Sequence, residues 1–141
     1  MSESWLFWAL LSAGFAALTA IFAKIGVGPI NSDFATFIRT LVVIAALAGF
    51  LSFTSQWQAL GTIPLKSWGF LLLSGLATGA SWVAYFRALK LGSASQVAPV
   101  DKLSIVLVTI FATVFLGEKL PLTGWLGVAM IACGAILVAW R

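Results

Sequence analysis

Apolar residues run along the chain in five long stretches separated by short clusters of Gly, Pro and polar residues. They extend roughly from Trp5 to Val27, Asp33 to Phe53, Ser67 to Leu89, Ser95 to Leu116, and Pro121 to Trp140. Each has about the 20 residues that a helix needs to cross some 30 Å of hydrocarbon. Each is apolar over most of its circumference instead of along one stripe, so the pattern predicts helices surrounded by lipid. The first stretch opens on Ser2, Glu3 and Ser4 without a basic segment and runs into Lys24 without a clear cleavage site, so it reads as the first helix and not as a signal peptide. The expected fold class is all-α: a polytopic membrane bundle of five transmembrane helices, forming a single transmembrane domain over residues 1–141.

Composition strengthens this reading. Apolar residues make up 62% of the chain and charged residues 9%, with a mean hydropathy of +1.10. A soluble domain carries about 25% charged residues, and a chain this short has too little interior to hide so much apolar surface from water. Eight Lys and Arg against four Asp and Glu give a formal charge of +4, but no basic run concentrates it, which argues against a nucleic-acid partner. With no His and only Cys133, neither a histidine-based catalytic centre nor a Cys/His metal site can be built within one chain. No nucleophile-base pair stands out either, so no enzyme activity and no cofactor are expected.

The connections are short. Gly26 to Ser32 holds chain breakers followed by Asn31, Ser32 and Asp33, any of which can cap the second helix. Trp57 and Trp68, at the ends of the longest connection, suit a membrane interface. Lys66 and Lys119 fall on the side of the N-terminus; Lys24, Arg87, Lys90 and Arg141 fall on the other, with Arg39 and Lys102 further into their helices. The positive-inside rule leans toward an outside N-terminus and a cytoplasmic C-terminus in a plasma (inner) membrane, by a margin small enough to leave dual orientation open.

Polar residues within the stretches are the candidate functional groups. In the second, Thr36, Arg39 and Thr40 fall on one side at three- and four-residue spacing. Arg39 can attract an anionic group or balance a carboxylate, or it can snorkel toward lipid headgroups. In the third, Thr78, Trp82 and Tyr85 can form a wall that stacks on an organic solute, or Tyr85 beside Arg87 can mark the interface. Asp101 and Lys102 lie within the fourth stretch. Consecutive helical residues do not face each other, so these two are expected to find different partners, with Asp101 lining a pathway or exchanging a proton. Pro99 interrupts the helical ladder just before them; a helix starting there would move both charges toward the interface. Gly75 and Gly79 in the third stretch, and Gly124, Gly127 and Gly134 in the fifth, are expected to let another helix approach closely, in the same chain or a second subunit.

The stretches NSDFATFIR from Asn31 to Arg39, YFRALKLGSASQVAP from Tyr85 to Pro99 and FLGEK from Phe115 to Lys119 resemble an EamA domain of the drug/metabolite transporter superfamily, and the likeness covers nearly the whole chain. Many members of that family carry two such units in one ten-helix chain, with opposite membrane topology and a central substrate cavity. The resemblance implies half of an inverted-repeat transporter, so a homodimer, with an antiparallel arrangement open to it, is the expected working form, with alternating access around a midplane site. It implies that helices one to four build the cavity and helix five supports assembly, and that Glu118 caps a helix or contacts a neighbouring unit. Where this chain reads Val-Asp-Lys-Leu-Ser after Pro99, longer relatives are usually apolar, so Asp101 and Lys102 stand outside the shared pattern. There is no GxxxxGK[ST] loop, so transport of a small organic metabolite or amphipathic compound would run on an existing gradient, on proton or other ion coupling, or on exchange. The alternative is a non-transporting membrane assembly component that needs a different protein partner.

Overall fold

A computed structural model describes residues 4–140; Ser2, Glu3 and Arg141, which entered the reading of the ends and of orientation, lie outside the described residues. The described residues are all-helical, without strands. Helix α1 spans Trp5–Val27, α2 Ser32–Phe53, α3 Leu65–Leu91, α4 Ala94–Asp101, α5 Ser104–Phe115 and α6 Leu122–Ala139; a 3-10 turn, Leu60–Thr62, precedes α3. Five spans are long and apolar enough to cross a membrane, α4 and α5 together forming the fourth from Ala94 to Phe115. No more than 11% of any span's most apolar window is buried inside the chain, so the apolar faces look outward and lipid must cover most of them.

Helix ends follow local chemistry. Asn31 caps α2: its side chain accepts from the backbone N–H of Asp33 at 2.9 Å and of Phe34 at 3.2 Å. These are two of the donors that a helix start leaves unpaired. At the other end Ser55 turns left-handed at φ 54°, which brings the Gln56 N–H to Leu51 O at 3.0 Å. Gly117 does the same after α5 at φ 68°, where a residue without Cβ is free of strain, and the backbone N–H of Glu118 reaches Ala112 O at 3.2 Å.

The fourth span departs from the continuous helix expected over 95–116. The chain stays helical through Pro99 and breaks instead at Lys102 and Leu103. Around the break the ladder tightens to three-residue spacing: Leu103 N–H bonds Val100 O, Ile105 N–H bonds Lys102 O and Val106 N–H bonds Leu103 O, each at 3.0 Å. The N–H groups of Leu103, Ile105 and Val106 therefore keep partners, which suits an interruption inside a lipid-facing segment.

Two compact units make up the chain. One holds α1 up to Lys24 and everything from Leu91 onward; the other runs from Ile25 to Lys90. In the first, α6 packs on α4 and α5, and Lys24 Nζ donates to Gly92 O at 2.7 Å, tying the end of α1 to the link between α3 and α4. In the second, α2 buries Ser32, Ala35 and Thr36 while α3 buries Phe86 and Leu89, positions three or four residues apart on each helix.

The glycines behave unequally. A Cβ built on Gly124 would stand 2.6 Å from Leu120 Cγ, whereas on Gly75, Gly79, Gly127 or Gly134 it would meet nothing within 4 Å. Within this chain, then, no helix closes on four of the five glycines expected to permit close packing. Replacing helical Gly by Ala contributes up to about 1 kcal/mol through the backbone, and forcing an extra methyl into a filled site costs roughly 1–3 kcal/mol. Gly127→Ala is accordingly expected to raise the thermal midpoint of the detergent-solubilised monomer, and Gly124→Ala to leave it unchanged or lower it. Equal shifts would show that Leu120 yields freely.

Candidate functional site

The unit from Ile25 to Lys90 carries a polar seam between the first half of α2 and the last three turns of α3. At its outer end Asp33 and Arg87 form a two-point pair. Arg87 Nε donates to Asp33 Oδ1 at 2.8 Å and an Nη donates to Oδ2 at 2.6 Å. Such fork-to-carboxylate contacts fix orientation as well as charge. Beside it Lys90 Nζ donates to Ile30 O, so both cations in the last turns of α3 hold the entry into α2. Asp33 sits in the first turn of α2, where a carboxylate also suits the helix dipole.

Further along the seam Arg39 lies with its Cζ 4.2 Å from the centre of the Trp82 ring and 5.5 Å from that of Phe86. Trp82 and Phe86 stand one turn apart on α3, so together they form an aromatic floor under the guanidinium, and Tyr85 packs edge-on to Phe86 with ring centres 6.5 Å apart. Of the two readings open for Arg39, attraction or snorkelling, the side chain takes an inward course onto α3. It is the eighth residue of α2, about 10 Å along the helix from its start. Neither a carboxylate nor any other hydrogen-bond acceptor among the described residues takes its N–H groups.

The hydroxyls expected in a pathway are engaged by their own helices. Thr36 donates to Ser32 O at 2.9 Å, Thr40 to Thr36 O at 2.8 Å, and Thr78 to Ser74 O at 2.9 Å. Each keeps only lone pairs for a passing solute, so these positions favour donors over acceptors. Thr36 is buried, Thr40 half-buried and Thr78 exposed.

Asp101 and Lys102 belong to the other unit, and they do not find different partners. Lys102 Nζ reaches Asp101 Oδ2 at 3.5 Å, with Lys102 53% and Asp101 37% exposed. Side-chain geometry in an unbroken helix sets consecutive residues apart, but α4 ends at Asp101 and Lys102 caps it, so the rule does not apply across the break. The pair stands eight or nine residues into the fourth span, about 12 Å from its start. Near the start of α4, Ser93, Ser95, Gln96, Leu137 and Val138 line an open recess of about 470 Å³, where the Ser93 hydroxyl donates to Gln96 Oε1 at 2.8 Å.

Sequence reasoning treated Asp33 only as a cap and Arg87 only as a topological charge. Their pairing spans 54 positions, a separation that helical periodicity does not register. Both nonetheless lie within the stretches that carry the family likeness.

Five long apolar spans define an integral, multi-pass helical membrane protein. The sequence profile of the EamA-like transporter family matches residues 3–140, and the chain belongs to that family. It is 67% identical over 139 residues to an uncharacterized transporter encoded in the cobO 3' region of a Sinorhizobium species, covering 99% of each chain. It is also 36% identical over 91 residues to the probable 4-amino-4-deoxy-L-arabinose-phosphoundecaprenol flippase subunit ArnE of Yersinia pestis, covering 64% of this chain and 68% of the relative. The same likeness extends to ArnE of Yersinia pseudotuberculosis. No solved structure is a significant match. These relatives carry transport names, in keeping with the expectation of a non-enzymatic chain.

If the Asp33–Arg87 contact sets the α2–α3 register, Asp33→Arg and Arg87→Asp should each lower the thermal midpoint in detergent, and the double exchange should recover most of the loss. Losses that simply add in the double variant would mean that the two side chains act independently.

Proposed function

We propose that the chain is a secondary transporter of a small organic or amphipathic compound, working as a homodimer, with its two copies inserted in opposite orientations in the plasma (inner) membrane. The observation that carries this reading is the uncovered backbone of α3 and α6. Among the described residues, a Cβ added at Gly75, Gly79, Gly127 or Gly134 would meet nothing within 4 Å beyond its own stretch of helix. Small-residue faces allow helix axes to approach closely, and lipid supplies no other drive for association, so a second unit is the economical cover. Opposed units would form an inverted pair whose rocking exposes a midplane site to each side in turn. Lys and Arg are few, two on the side of the N-terminus against four on the other with Arg39 and Lys102 further in, and so small a difference leaves insertion both ways open.

The substrate class draws on the relative named as a flippase subunit for a sugar-bearing polyprenyl phosphate, a molecule with a polar head and an apolar body. The aromatic floor beneath Arg39 suits such a molecule on chemical grounds. That the relative is named a subunit favours a second reading, in which this chain serves as an assembly component paired with a different protein.

Side-resolved labelling of a single cysteine placed near either terminus, in a Cys133→Ala background, separates the two readings. With opposed homodimers each terminus is labelled from both faces of the membrane in comparable amounts. One fixed side for each terminus would exclude that arrangement and direct attention to a different partner of opposite orientation.

Coupling is the finer question. Asp101 is the proposed proton-exchanging group, released from Lys102 in part of the cycle. Asp101→Asn is expected to abolish uptake driven by a pH gradient in proteoliposomes while leaving exchange at equal pH within about twofold. A folded Asp101→Asn protein with wild-type gradient-driven flux would exclude the role.

A further inference from the structure

We infer that Arg39, lying over Trp82 and Phe86, is the binding point for an oxyanion, of phosphate-monoester type, carried by an amphipathic ligand. The inference deepens the transport reading and rests on it for the purpose of binding, though not for the binding itself. Its first support is the distribution of charge. Among the described residues the carboxylates are Asp33, Asp101 and Glu118. Both Asp33 oxygens accept from Arg87, Asp101 contacts Lys102, and no carboxylate lies within 4.0 Å of Arg39. The cations at span ends, such as Lys66 and Lys90, can reach the interface, whereas Arg39 is folded inward onto α3.

Geometry adds the second support. A cation–π contact holds a guanidinium without using any of its five N–H donors as a hydrogen bond to the ring. The aromatic contacts therefore restrain the group and leave its hydrogen-bonding capacity unspent, and its fork matches the spacing of two oxygens on a phosphate or carboxylate. Holding the planar group in advance also reduces the entropy lost when an anion docks. Trp82 and Phe86 supply an apolar surface beside the charge, suited to the first carbons of the ligand. The back-bonded hydroxyls of Thr36 and Thr40 place no competing donor in the same stretch of α2.

Binding to the full chain in phosphatidylcholine nanodiscs tests this with dodecyl phosphate, dodecanol and phenyl phosphate as probes. Wild type is expected to bind dodecyl phosphate at least about tenfold more tightly than dodecanol, the range of a charge-assisted hydrogen bond. Arg39→Gln should remove that preference, Arg39→Lys should retain a reduced part of it, and Lys66→Gln, which removes an equal charge elsewhere on α3, should leave it unchanged. Competition by phenyl phosphate would identify a soluble organophosphate as the source of the anion; binding of dodecyl phosphate alone would identify a lipid headgroup. Equal affinity of wild type for dodecyl phosphate and dodecanol overturns the inference without any variant, which keeps the test decisive should Arg39→Gln fail to fold. So does a folded Arg39→Gln protein with the preference intact. Flux is read separately in proteoliposomes. An Arg39-dependent anion preference without flux of any probe would sink the transport reading and leave the site. Flux of an uncharged compound without that preference would sink the site and leave transport.

Discussion

The structure turns on how few carboxylates it has to neutralise cations placed in lipid. Eight Lys and Arg less Arg141, and four Asp and Glu less Glu3, leave seven described cations and three described carboxylates. One carboxylate fastens α2 to α3 through Arg87, and another meets Lys102 where the fourth span is interrupted. Lys24 and Lys90 turn to backbone carbonyls near the ends of α1 and α3, a usual resolution for a long cation in the last turn of a span, where the helix dipole also favours it. Arg39 receives none of these solutions.

The magnitudes indicate why Arg39 is distinctive. A charged side chain at the centre of a span is disfavoured by about 2.5–3.5 kcal/mol on insertion scales. A desolvated cation–π contact returns about 2 kcal/mol, and its depth, short of the midplane, reduces the penalty further. The aromatic floor thus makes the arginine tolerable without a counter-ion. A carboxylate in the same place would neutralise it more fully and would also occupy its fork. An arginine held by aromatic faces is stable enough to persist and still has N–H groups that no acceptor among the described residues takes.

Much of this fold was legible in the sequence because hydropathy over 20 residues is set by lipid and not by tertiary contacts. The spans and a cap for α2 among Asn31, Ser32 and Asp33 follow from local chemistry alone. The break in the fourth span lies at Lys102 and Leu103 and not at Pro99 because a proline near a helix start removes one bond without ending the helix, and the later turn tightens while Leu103, Ile105 and Val106 keep their N–H groups bonded. The pairing of Asp33 with Arg87 and the seating of Arg39 on Trp82 were not legible. They depend on the register of two helices joined by a long connection, and periodicity gives the face of each helix but not the height at which the faces meet. The glycine stripes were visible as a pattern, whereas their lack of a neighbour within the chain is a tertiary fact.

These constraints converge on one asymmetry. The ion pairs at Asp33–Arg87 and Asp101–Lys102 are each close to neutral, so neither draws a further charge into the bilayer. Arg39 keeps its positive charge inward of a span end, on an apolar floor, with no carboxylate partner among the described residues. Bringing an anion to that depth requires a countercharge already in place, because a hydrated anion gives up water only where fixed charge or dipoles replace it. A loaded site would be closer to neutral than an empty one and so less costly to enclose between two apolar units. An uncharged compound gains nothing from that countercharge, so under the proposed binding of an oxyanion at Arg39 the charge balance of α2 and α3 would favour an anionic amphipath.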